Sequence, residues 1–105
     1  MTAECSPVAR VEEDLKDLIP EFMRCRRQDV RELQSVMASG RMDRVRFIAH
    51  NLRGTGAAYG FDRISEIGLE LGVAASSGDL RAAGELVQEL SRYLDQVRVT
   101  YVPAY

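Results

Sequence analysis

The chain has 105 residues, of which 46% are hydrophobic and 29% charged, and a formal net charge of −2. This is enough apolar material for one core and too much for a disordered chain, while no run approaches the ~20 apolar residues that span a bilayer. The mild negative charge argues against nucleic acid as the main partner, and the N-terminus lacks a basic, apolar leader. A single cytoplasmic domain over residues 1–105, off the membrane and monomeric, is expected.

Residues Met1 to Cys5 show no periodicity and are expected to be loose. Ser6-Pro7 reads as an N-cap followed by proline at the first helical position, and Val8, Val11, Leu15 and Leu18 recur at spacings of three and four, which predicts a short helix over 7–18. Pro20 breaks the chain near Ile19. A second helix over 20–39 carries Phe22, Met23, the stem of Arg26, Val30, Leu33 and Met37, and Gly40 stops it. The third, over 42–59, buries Val45, Ile48, Ala49, Leu52, Gly56 and Tyr59 within an arc of about 100° and ends at Gly60.

The fourth helix, over 62–77, turns Ile64, Ile67, Gly68, Leu71, Ala74 and Ala75 inward. Its Gly68 and Gly72 allow close approach to a neighbour, expected to be the third helix. Asp79 caps the last helix, over 79–101, whose stripe is Leu80, Ala83, Leu86, Val87, Leu90, Leu94, Val97 and Tyr101; the tail from Val102, with Pro103, is not helical. No strand-period run or hairpin signal is found. Short loops between helices of this order give an all-α fold, an antiparallel up-down-up-down four-helix bundle with the short extra N-terminal helix as a lid on one end.

Cys5 and Cys25 lack metal-ligand spacing, and one histidine cannot complete a zinc set with them. Cys5 is expected to be free at the surface and Cys25 packed. Basic residues cluster at Arg24, Arg26, Arg27 and at Arg41, Arg44, Arg46. Pairing with carboxylates such as Glu21, Asp29 and Asp43 is favoured over phosphate binding as their role.

The only histidine, His50, lies on the third helix, roughly 140° from the centre of the buried stripe, so its imidazole should reach solvent. Arg46 stands one turn before it and Arg53 one turn after. Gly54, also on the outer face, costs a helix interior about 1 kcal/mol relative to alanine, and a bare patch there suits something that approaches the imidazole from outside.

Taken together, His50, Arg53, Gly54 and Gly60 resemble the signature of the histidine phosphotransfer (HPt) domain family: a helical His, a Lys three residues on, a Gly directly after it and another Gly six further. Three of the four match outright, and Arg53 replaces Lys with the same charge. The resemblance extends from Leu18-Ile19-Pro20-Glu21-Phe22 to Gly78-Asp79-Leu80 and implies the same bundle. It further implies that the distal ring nitrogen of His50 takes a phosphoryl group from a receiver aspartyl phosphate or a histidine kinase and passes it to another receiver Asp. The receiver of the response regulator brings the Mg²⁺, and this chain binds no cofactor of its own.

An exposed imidazole, with an ordinary pKa near about 6.5, is substantially neutral and nucleophilic at pH 7. Cations beside it stabilise the phosphoryl adduct, a role for Arg53 and, from the other side, Arg46. Nothing resembles an ATP-binding domain, so a phosphoryl carrier without autokinase activity is expected. One departure concerns the Gln or Glu that many relatives place on the next helix to orient the active His. Gly72 occupies that position here, leaving Ser76, Ser65 or a water for the task.

Phe47, Leu69 and Val73 lie outside their helices' stripes and either form an apolar patch for a receiver helix or, for Phe47 and Leu69, widen the core. The competing functional reading is a bundle of the same ancestry that binds a receiver or kinase without carrying phosphate. A nucleic-acid-binding domain would need the arginine clusters to merge into one stripe. The chain's own start and loose tail favour a free-standing relay protein over an excised kinase domain.

Overall fold

The computed structural model describes residues 6–104. In order, the chain forms β1 (Val8–Glu12), a 3₁₀ helix (Glu13–Leu18), α1 (Ile19–Ala38), α2 (Met42–Thr55), a 3₁₀ turn (Ala57–Tyr59), α3 (Asp62–Ser76), α4 (Leu80–Gln96) and β2 (Arg98–Val102). Expectations for Met1 to Cys5, the surface Cys5 among them, and for Tyr105 lie outside the described residues.

α1 and α3 fall where apolar periodicity puts them, but α2 ends at Thr55 instead of running on to Tyr59: the Ser65 hydroxyl of α3 stands between the Ala57 N–H and the Arg53 carbonyl, and Ala57–Tyr59 form a 3₁₀ turn. The expected helix over 7–18 does not form: its first half is a strand and its second a 3₁₀ helix without a buried residue. Likewise the last helix stops at Gln96, and the chain continues as a strand through Val102. β1 and β2 pair in parallel with Val8 opposite Arg98 and Glu12 opposite Val102, and the Arg98 N–H extends the ladder to the Pro7 carbonyl at 2.8 Å.

Val, Thr and Tyr suit a pleated surface, but what selects the strands is their mutual pairing from opposite ends of the chain. Burial along β1 alternates: Ala9 and Val11 point into the core while Val8, Arg10 and Glu12 point out. Val8 and Val11, which share a face in the helical reading, therefore lie on opposite faces.

The strand pair sits against the turn between α2 and α3. Gly60 there has φ +95°, and the Arg10 carbonyl of β1 occupies the space where a Cβ would stand, so both its backbone and its surroundings require glycine. Pro20 falls in the first turn of α1, where its missing N–H is harmless. Gly40 and Gly78 follow α1 and α3 as the expected stops.

Each helix packs on its neighbours in the sequence, α4 closes onto α1, and the α2–α3 contact is the most extensive. Phe61, Leu33, Leu52, Ile64, Ile67, Leu71, Leu90, Val11 and Val45 are fully buried. Phe22 stacks with both Tyr59 and Phe61, with centroids 4.6 and 5.0 Å away. Tyr93 is buried although it lies outside the stripe that spacing predicts for α4, whereas Leu80, within that stripe, is 53% exposed.

Arginines tie the helices at their edges: Arg44 to Glu32 joins α2 to α1, Arg63 to Glu89 joins α3 to α4, and Arg27 to Asp95 joins α1 to α4. Arg26, largely covered, lies over the Phe22 ring, pairs with Asp29 at 2.9 Å and donates to Thr55 Oγ1 at 2.8 Å. Burial pushes the Asp29 carboxyl above its ordinary range, with Arg26 opposing the shift. No helix among the described residues is long and apolar enough to cross a membrane.

Candidate functional site

The α2–α3 contact sets the geometry around His50. Helix α2 turns Val45, Ile48, Ala49 and Leu52 into the core and leaves Arg46, Phe47, His50, Arg53 and Gly54 outside. Helix α3 comes very close because Gly68 has no side chain: a Cβ there would stand 2.5 Å from the Arg53 nitrogen and 2.7 Å from the Ala49 carbonyl oxygen. The backbone of the His50 turn thus rests directly on α3. Gly72, one turn on, meets α2 more loosely, with the Ala49 Cβ 3.9 Å from an added Cβ.

An open groove of about 560 Å³ runs along this contact, lined by Arg46, His50 and Arg53 from α2 and by Gly68, Leu69, Gly72, Val73, Ser76 and Ser77 from α3 and its end. Five of the seven residues that the sequence nominates line it: His50, Arg53, Arg46, Leu69 and Val73. Phe47 and Gly54 stand outside the groove on the same exposed helix. Phe47 carries the Arg44 guanidinium over its ring at 4.9 Å, a contact that the sequence did not suggest. Open space surrounds Gly54: a methyl group added there would have nothing within 4 Å.

Burial resolves the two readings of the apolar residues. Phe47 is 54%, Leu69 47% and Val73 63% exposed, so they do not widen the core. Leu69 and Val73 line the groove beside the histidine, and Phe47 is exposed outside it.

The charge around the groove is one-sided, since among the described residues no carboxylate lines it. Among the described residues Arg46 and Arg53 have no ion-pair partner, whereas Arg24, Arg26, Arg27, Arg41 and Arg44 pair with Glu21, Asp29, Asp95, Asp43 and Glu32. The clusters Arg24, Arg26, Arg27 and Arg41, Arg44, Arg46 are thus largely paired surface, as expected, with Arg46 the exception within them; Arg53 shares its lack of an ion-pair partner among the described residues with Arg10, Arg31, Arg92 and Arg98.

Ser65 does not orient the imidazole. It does not line the groove and makes no hydrogen bond to His50; its hydroxyl instead donates to the Arg53 carbonyl at 2.8 Å and accepts from the Ala57 N–H at 2.7 Å. Ser76 lines the groove and is the remaining side chain of the two. Among the described residues, no three of His, Cys, Asp and Glu come together in a way that would hold a metal ion.

His50 thus stands exposed on a bundle helix between two arginines that have no ion-pair partner among the described residues, with Leu69 and Val73 in the same groove. The sequence matches the Hpt domain family over residues 9–100, and the chain belongs to that family. Searches among curated proteins and among solved structures gave no match.

Proposed function

We propose that this chain is a phosphoryl carrier of a two-component phosphorelay, accepting a phosphoryl group on His50 and exchanging it with the Asp of a response-regulator receiver domain. The observation that carries this reading is the exposed His50 in a groove lined, among the described residues, by no carboxylate, between two arginines that have no ion-pair partner among those residues. The imidazole nitrogen attacks phosphorus in line as the aspartyl oxygen leaves, and charge spreads over the three equatorial oxygens. Arg53 stabilises that charge from one turn ahead and Arg46 from one turn behind. As an arginine, Arg53 offers a planar fork to two oxygens at once where a lysine would offer a point charge.

The open surface at Gly54 admits the partner's active site, and Phe47, Leu69 and Val73 receive its apolar helix. Mg²⁺ and the catalytic carboxylates come with the receiver. We further read the chain as a cytoplasmic monomer. Its helices run up-down-up-down and antiparallel, a course supported by the short links between α1, α2, α3 and α4 and by the closure of α4 onto α1.

The test is transfer, in Mg²⁺, from a panel of phosphorylated receiver domains to the purified chain and to His50→Gln. An acid-labile, base-stable label on the wild type alone is the expected result. A folded chain that binds receivers yet takes no label from any of them would instead be a non-catalytic regulator.

A further inference from the structure

The end of α2 is made by a residue of α3. In an uninterrupted α-helix the Ala57 N–H bonds the Arg53 carbonyl directly. Here the Ser65 hydroxyl stands between them, accepting from the one at 2.7 Å and donating to the other at 2.8 Å. Such an insertion into the ladder is a recognised way to redirect a helix, and the chain does turn there, from α2 into the 3₁₀ turn at Ala57. Gly56, between the two bonded residues, is packed on the same segment of α3: a Cβ on it would stand 2.6 Å from the Ser65 nitrogen and 2.8 Å from the Ile64 Cβ.

Arg53 is therefore held by α3 on both sides of its α-carbon. Its amide nitrogen lies against the bare backbone of Gly68, and its carbonyl is bonded by Ser65. Its side chain is exposed in the His50 groove and has no ion-pair partner among the described residues. The base is fixed and the charged tip is free.

We propose that Ser65 is a positioning residue for phosphotransfer at His50, acting through Arg53: the hydroxyl clamps the backbone from which the guanidinium reaches the phosphoryl oxygens. The role at His50 rests on the phosphotransfer reading; the clamp itself does not. Without the hydroxyl, the Arg53 carbonyl and the Ala57 N–H must meet each other or water, and either choice shifts the last turn of α2. Small displacements of a group that stabilises a transition state are costly in rate.

The experiment compares wild type, Ser65→Ala, Ser65→Thr, Arg53→Gln and the Ser65→Ala/Arg53→Gln pair, using ¹⁵N relaxation and amide exchange at Arg53 and Ala57 beside single-turnover transfer from a phosphorylated receiver. Expected in Ser65→Ala are faster exchange at Ala57, greater mobility at Arg53, and an about tenfold lower transfer rate at saturating receiver with the half-saturating concentration unchanged. Ser65→Thr, which keeps the hydroxyl, retains the rate. In the Arg53→Gln background the serine change adds no further loss, because the two act as one unit.

A full additional loss in that background, or a change confined to half-saturation, would overturn the proposal by making Ser65 a general structural or docking residue. Unchanged Arg53 and Ala57 dynamics in Ser65→Ala would overturn it even if no receiver phosphorylates the wild type. That last result by itself removes the phosphotransfer reading and leaves the clamp to be judged by the dynamics.

Discussion

Gly68 and Gly72 lie one turn apart on α3 and face α2 under very different conditions. A methyl group at Gly68 would collide with backbone atoms of Arg53 and Ala49, which cannot rotate away, whereas at Gly72 it would meet the Ala49 Cβ at ordinary contact distance. Gly68→Ala should therefore cost about 1–3 kcal/mol by overpacking, and Gly72→Ala should stabilise by about 0.5–1 kcal/mol by restricting the unfolded chain. Gly54→Ala, in open space, should also stabilise. If the bare patch serves partner access, it should slow phosphotransfer at the same time. Urea denaturation of the three variants, with transfer measured in parallel, separates packing from access. The residues around His50 were legible in the sequence because helical spacing alone puts Arg46, His50, Arg53 and Gly54 on the outside. Two features of the site were not legible. The Ser65 hydroxyl bonds across to another helix, and Glu32 of α1 pairs with the Arg44 guanidinium that lies over Phe47; Arg44 and Phe47 are neighbours by i,i+3 spacing, but neither long-range bond leaves a local pattern.

At the level of elements, the helices announced themselves through local period and the strands did not. α3 carries a stripe that needs no distant information, and Gly40 and Gly78 mark where α1 and α3 stop, whereas Gly60 follows the 3₁₀ turn and not α2 itself. β1 reads equally well as a helix, since Val8, Val11, Leu15 and Leu18 are three and four apart and Ser6-Pro7 imitates a helix start. Its partner lies at the other end of the chain, beyond the reach of any local pattern. Single substitutions distinguish the two structures. Of these two valines only Val11 is buried in the strand, so Val11→Ala should destabilise by about 1–3 kcal/mol, while Val8→Ala, at an exposed position, should stay within about 0.5 kcal/mol. Equal losses at both positions, measured by urea denaturation, would instead support a helix burying one face.

For the whole molecule, alkaline stability should depend on Tyr93. Burial, with help from the nearby Asp62 and Glu66 charges, pushes its phenol from 10.0 up to about 12. Between these values the unfolded chain has lost the proton that the folded chain keeps, so folding stability is intact below pH 10 and falls as pH rises toward 12. Tyr93→Phe removes that dependence, and its melting temperature should fall less than the wild type's over this range. The proposed docking surface likewise draws on two elements, since Phe47 comes from α2 and Leu69 and Val73 from α3. Leu69→Glu or Val73→Glu should weaken receiver binding about tenfold or more, measured by calorimetry, with the melting temperature nearly unchanged because both side chains are already exposed. The most direct test of the central claim is to locate the phosphoryl group itself. After incubation with a phosphorylated receiver in Mg²⁺, tandem mass spectrometry under non-acidic conditions should find a single modification, on His50. A phosphoryl group on another residue, or none on a folded chain that demonstrably binds the receiver, would contradict it.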